Sequence, residues 1–307
     1  MPKFRLLVAA AFIVGVLGVA PTVHAAPAPV SSCSSTPQTT DVVVTQNLIC
    51  SGTSAIVVGA SGIKIDLQGH WIRGDGTHYG VEDLTGVYDN VTVVNGSFRH
   101  FVNAVRALPG ADHITIDRIS ALGMTGGNGI RVEGDYLTVK RSNFIGNEGD
   151  GIFFVGNNGS ISGSTVAQNL QFGVEMVGIG EKITRTTIEG NGKSGLSVSG
   201  SATVTSAKSL ANLGSGISVG GQGSQVRSST ATFNRGSGIV VMGSDPVIGQ
   251  LPGKPKTDRN ITKMNGYDPT GGANGYGIDA GGATNPRGKN VATGNAITTE
   301  CNPTSLC

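Results

Sequence analysis

The sequence is short of the residues that build most globular cores and most highly charged surfaces. Aromatic residues account for 5% of its 307 residues, with a single tryptophan, and charged residues for 14%. So little charge excludes the charged, alanine-rich make-up of a helical bundle, and 38% hydrophobic content is too high for a disordered chain. A long apolar run is present only at the start, from Leu6 to Ala20. Lys3 and Arg5 precede it and Val23-His24-Ala25 follows it, so residues 1–25 read as a signal peptide cleaved after Ala25, and the mature chain as secreted and extracellular. With no second run of that kind, no membrane anchor is expected. Once Lys3 and Arg5 leave with that peptide, 20 Lys and Arg face 20 Asp and Glu, a balance that gives no long-range pull on nucleic acid or an anionic membrane.

Cysteine is confined to the ends, with Cys33 and Cys50 near the start and Cys301 and Cys307 at the finish. Neither pair has C-x-x-C spacing or a histidine placed as a zinc knuckle needs, so disulfides are expected in an exported chain. Of three connectivities the local one, Cys33 with Cys50 and Cys301 with Cys307, is the simplest.

What the chain has in excess is glycine, 49 residues, too few for collagen and arranged in a repeat. The pattern N-x-x-x-G followed by Ile, Leu or Val runs from Asn147 to Gly151, Asn169 to Gly173, Asn191 to Gly195, Asn212 to Gly216 and Asn234 to Gly238. Copies without the Asn extend it back through Gly129, Ala104 and Gly80 and forward to Gly277, for nine rungs. Each rung carries short alternating runs such as Leu137-Thr138-Val139-Lys140, too short to bury an apolar face alone. A period of about 22 residues suits a coil of three short strands stacked on its neighbours, a parallel β-helix. Within it the Asn column reads as structural, because Asn tolerates a left-handed turn and its amide can bond the copies above and below. Thr92, Thr115, Thr138, Ser162, Thr184 and Thr205 read as one outward hydroxyl column. The glycine-rich matches to G-x-G-x-x-G at Gly190–Gly195 and G-x-S-x-G at Gly216–Gly220 lie on rungs, without the following helix that phosphate binding or a nucleophile elbow requires.

The open ends of such a stack must be covered. The expected organisation is an N-terminal cap over 26–61, a β-helix over 62–282 with a loop at 245–273 leaving the coil, and a C-terminal cap over 283–307. Cys33 through Leu48-Ile49-Cys50-Ser51-Gly52, then Ile65-Asp66-Leu67-Gln68-Gly69-His70 and the N-x-x-x-G-I coils, resemble secreted bacterial right-handed parallel β-helix repeat proteins of the pectin-lyase-like superfamily. The resemblance covers nearly the whole mature chain. It implies an all-β, single-stranded right-handed helix of about nine to ten coils with disulfide-stapled caps, and an elongated groove for polysaccharide. It is poor for activity, because that superfamily holds pectate lyases, polygalacturonases, alginate epimerases and members without an established reaction. The Asn-Thr-Asp, Asp-Asp and Gly-His-Gly motifs of a polygalacturonase are absent. Gly266-Tyr267-Asp268-Pro269-Thr270 only partly matches the epimerase motif Tyr-Gly-(hydrophobic)-Asp-Pro-His.

The position two residues after each rung glycine is outward and reads Glu82, Arg106, Arg131, Phe153, Glu175, Ser197, Ser218, Val240 and Asp279. Glu133 adds a second column, and Asp150 precedes its glycine. The clustering of charged and aromatic residues in these columns makes Arg131, Glu133, Asp150 and Glu175 candidate catalytic residues and Arg106 and Phe153 candidate substrate contacts. In pectate lyases an arginine takes the proton beside a uronate carboxylate while acidic residues bind calcium, so Ca2+ is the cofactor this reading suggests. The expected function is binding of an acidic polysaccharide, with β-elimination as its chemistry if it is cleaved. The alternative is a non-catalytic surface or envelope protein whose charges are cross-strand pairs on a rigid solvated face.

Overall fold

The computed structural model describes residues 26–267, 275–284, 286–297 and 300–307. The expected signal peptide, residues 268–273 of the expected loop, and Asp268–Thr270 of the partial epimerase match lie outside them. The chain winds as a parallel β-helix with three strand ladders. The first face is a 12-stranded sheet running from Ser34–Gln38 through Ile152–Val155 to Cys301–Asn302. The other two ladders merge into one 20-stranded sheet, because Thr92–Arg99 and Thr115–Leu122 each run through both. A representative coil passes along Ile152–Val155, Ser160–Ser162 and Thr165–Ala167 before Asn169 starts the next. The corner between the second and third ladders is sharp because one residue there takes positive φ, as at Asn95, Arg118, Arg141 and Arg185.

There are about twelve coils rather than nine or ten. The additional first-face strands are Ser34–Gln38, Ile56–Val58 and Cys301–Asn302, so the expected caps are themselves coils that lack the repeat's signature. Cys33–Cys50 and Cys301–Cys307 are bonded locally at the two ends. The region 245–273 is not a single loop outside the coil: Val247–Ile248 and Ile261–Lys263 pair in register with Gln225–Val226 and Thr230–Thr232. The segment between those two strands bulges out, and the step from Lys263 to Ile278 is also longer than the matching step from Thr232 to Ile239, so the period breaks there.

Inside, Ile130, Ile152, Val174, Leu196, Ile217 and Ile239 stand in register on successive coils and are fully buried. Each such side chain contributes roughly 1.5–3 kcal/mol of transfer free energy. The Asn column runs through Asn147, Asn169, Asn191, Asn212, Asn234, Asn265 and Asn295, all buried. The left-handed residue is the one before it, as at Gln168 and Ala211, so conformational tolerance does not explain the asparagines. Their hydrogen bonds do. Asn169 Nδ2 donates to Asn191 Oδ1 (2.9 Å) and to the Phe144 carbonyl (3.2 Å). Asn169 Oδ1 accepts from the Asn147 backbone N–H (3.0 Å) and from Asn147 Nδ2 (2.7 Å). The amide thus uses all four of its bonding positions. The row ends where Asn295 Nδ2 donates to Glu300 Oε2 (2.6 Å).

The hydroxyls form two columns instead of one. Thr92, Thr115 and Thr138 align with Ser160, whereas Ser162, Thr184 and Thr205 align two residues further along the strand.

Candidate functional site

Strand pairing on the first face sets the outward column. Glu82, Arg106, Arg131, Phe153, Glu175, Ser197, Ser218, Val240 and Asp279 are register partners in that order. The six residues singled out from sequence therefore share one face, Arg106, Arg131, Phe153 and Glu175 in a single file. Glu133 lies two residues along the Arg131 strand, and Asp150 at the entry to the Phe153 strand.

Arg131 is held as a paired cation. Its Nε donates to Glu133 Oε1 at 2.7 Å and its Nη2 lies 2.6 Å from the same oxygen, while the guanidinium sits 4.7 Å from the Phe153 ring centroid on the next coil. Arg106 repeats this arrangement one coil earlier, pairing with Glu82 at 3.1 Å and lying 4.7 Å from the Tyr79 ring centroid. Glu82 is buried and also accepts from Ser54 Oγ at 2.8 Å. A third unit follows, with Lys193 Nζ 4.8 Å from the Phe172 ring centroid. Tyr79, Phe172 and Lys193 were not anticipated. Tyr79 and Phe172 occupy the column immediately before the glycine, where sequence reading had noticed only Asp150.

Asp150 is buried, and its Oδ1 accepts the Phe172 backbone N–H at 2.9 Å. Burial raises its pKa from 3.8 to about 6. The Phe172 hydrogen bond opposes that rise, Glu175 adds to it, and Lys193 and Arg131 pull against it. Glu175 makes no ion pair among the described residues. Also among the described residues, no three His, Cys, Asp or Glu side chains gather to hold a metal ion. On this face Asp150 Oδ1 takes a backbone amide and Glu133 Oε1 pairs with Arg131. A groove of about 830 Å³ lies away from this face, at the C-terminal end.

The family model described as a right handed beta helix region matches residues 128–298, more than half of the chain. The chain belongs to the right-handed β-helix family. That is the fold which the repeat predicts. Comparison with curated sequences finds no match. Among solved structures, this β-helix is similar to the A-module of the Azotobacter vinelandii mannuronan C-5 epimerase AlgE4, with 17% identity over 84% of this chain and 81% of that one, and a TM-score of 0.55. Others include the Dettilon tailspike protein (13% identity, 79% and 59% covered, TM-score 0.49) and the pectate lyase Pel9A (13%, 85% and 70%, TM-score 0.41). At these identities the likeness is one of fold. No helix among the described residues is long and apolar enough to cross a membrane, and the two disulfides are compatible with secretion.

Proposed function

We propose that this β-helix is a secreted protein that binds an acidic polysaccharide along its first face. The observation that carries the reading is the row of three cation-on-ring units, Arg106 on Tyr79, Arg131 on Phe153 and Lys193 on Phe172, on consecutive and near-consecutive coils. Rings offer flat apolar area to a sugar, and the cations held over them meet its carboxylates. From the Tyr79 coil to the Lys193 coil the row spans roughly 24 Å at the spacing of paired strands, room for several sugar units. A row repeated over several coils suits binding of a long chain.

One feature favours cleavage as the second reading. Asp150, with its pKa near neutrality, has the character of a general base that could take the proton beside a uronate carboxylate. The electron pair then forms the C=C bond and expels the 4-oxygen, while Arg131 and Lys193 neutralise the carboxylate. The mannuronan epimerase that shares this fold has a name in keeping with acidic sugars.

The test is calorimetric titration with oligogalacturonate, oligoalginate and glycosaminoglycan fragments, with and without calcium, alongside ultraviolet detection of unsaturated products. Arg131→Ala should weaken binding by about tenfold while changing stability by less than about 1 kcal/mol, as expected for a half-exposed pair. Ser218→Ala, in the same column on a later coil, should do neither. Unchanged affinity in Arg131→Ala for every ligand that the wild type binds defeats the proposal, and unsaturated product selects the cleaving form of it.

A further inference from the structure

The groove at the C-terminal end, about 830 Å³, has a different chemistry from the first face. Its lining includes Lys254, Arg259, Arg287 and Lys289, and no carboxylate. None of these four cations forms an ion pair among the described residues, although the mature chain carries as many acidic as basic side chains. Leu251, Pro252, Pro286 and Leu306 supply the apolar part of the lining, and no aromatic ring takes part.

The groove is built, not incidental to a loose loop. Gln250 and Lys289 exchange backbone hydrogen bonds (3.0 and 2.9 Å), which ties the two flanking segments together. The Gln250 side chain accepts from Arg259 Nε at 2.7 Å and donates to the Lys254 carbonyl at 2.5 Å, tying both ends of the bulge to the same residue. Asn290 Nδ2 donates to the Leu306 carbonyl at 2.9 Å and so fixes the third wall, the terminal turn that the Cys301–Cys307 bond closes.

A space of this size falls in the range of small-molecule sites, where an apolar lining supplies affinity and a few polar groups set orientation. Here the polar groups are all positive and the lining is aliphatic. Flat sugar stacking is poorly served without a ring, and a bare inorganic ion would leave the apolar lining unused. We infer that this groove binds a small amphiphilic anion, a carboxylate or phosphate head on an aliphatic body, independently of the polysaccharide face.

The test uses the full mature protein and calorimetry with octyl phosphate, octanoate, octanol and inorganic phosphate. The two octyl anions should bind saturably and weaken as salt rises, whereas octanol and inorganic phosphate should bind at least about tenfold more weakly. The comparison of octyl phosphate with octanoate identifies the preferred head group. The double variant Lys254→Gln/Lys289→Gln, which alters two exposed or rim side chains and no backbone bond, should lose about tenfold in affinity for the octyl anions and keep its thermal midpoint. Inorganic phosphate binding as tightly as octyl phosphate, octyl anions binding the variant as they do the wild type, or no saturable binding of either octyl anion would each overturn the inference.

Discussion

At the scale of single residues, two buried carboxyls set the pH behaviour of this β-helix. Asp150, whose pKa burial pushes up to about 6, lies at the entry to the Phe153 strand on the face proposed to hold a polyanion. As pH falls through about 6 it gains a proton, its charge no longer repels uronates, and their affinity should rise between about pH 7 and 5 while the uronates stay ionised. Asp150→Asn should bind at neutral pH as the wild type does in acid, with a flat profile by calorimetry. Glu181 is more deeply committed. It occupies the inward position that Ala202 takes on the next coil, and neither of its carboxylate oxygens has a hydrogen-bond partner. Burial raises its pKa from 4.5 to about 8. The nearby Gly159 amide opposes this without reaching hydrogen-bond geometry, and Asp135 reinforces it. Because the folded state holds this proton more tightly than the unfolded chain, the penalty for ionising the carboxyl is absent below about pH 4.5. Its cost grows as pH rises and is complete above about 8, on the order of a few kcal/mol. Glu181→Leu should therefore stabilise the protein in alkali and narrow the difference in acid, measured as denaturant midpoints across that window.

The elements explain the repeat motif through two contacts. The rung glycines are needed for close approach, not for unusual φ: a Cβ on Gly195 would fall 2.7 Å from Asn212 Nδ2 and 2.8 Å from the Gly216 carbonyl oxygen. Asn191 donates through Nδ2 to Asn212 Oδ1 at 2.9 Å and accepts Asn169 Nδ2 at 2.9 Å. Its removal leaves polar groups on both neighbouring coils buried and unpaired. Asn191→Ala and Gly195→Ala should each destabilise by about 3 kcal/mol or more in urea unfolding, well beyond a surface change on the same coil. These contacts recur on the successive coils from Asn147 to Asn234, which is why the N-x-x-x-G spacing exposed the fold and the outward column from sequence alone. The coils at the ends lack the glycine: Ala55 and Glu300 precede the strand residues Ile56 and Cys301 where the repeat has it, so they read as caps even though Asn295 carries the asparagine row into the last one. Glu181 was hidden for a related reason, since Glu181–Thr184 alternates like a solvated strand and only the register turns its first residue inward. In the candidate site, Arg131 and Phe153 were legible because they follow the glycine at a fixed step. Lys193 over Phe172 was not, because the two sit on different coils and outside that step.

For the whole molecule, stacking about twelve coils gives a rod roughly 55 Å long whose coils bond chiefly to their immediate neighbours. Along its inside runs the asparagine row, and every amide in it faces the same way, Nδ2 toward the C-terminal end and Oδ1 toward the start. Such a row is an electrical line with a sign at each end, the side-chain counterpart of an α-helix dipole. Its negative pole is met by the Met124 backbone N–H, 3.0 Å from Asn147 Oδ1, and its positive pole by the Glu300 carboxylate. Replacing that carboxylate by a neutral amide, Glu300→Gln, should lower stability by about 1 kcal/mol, and added salt should shrink the difference, both read from thermal midpoints. The rod is therefore polar as well as long: its two tips are electrically unlike, and an anion resting near the last coil meets a field that the first coil does not supply.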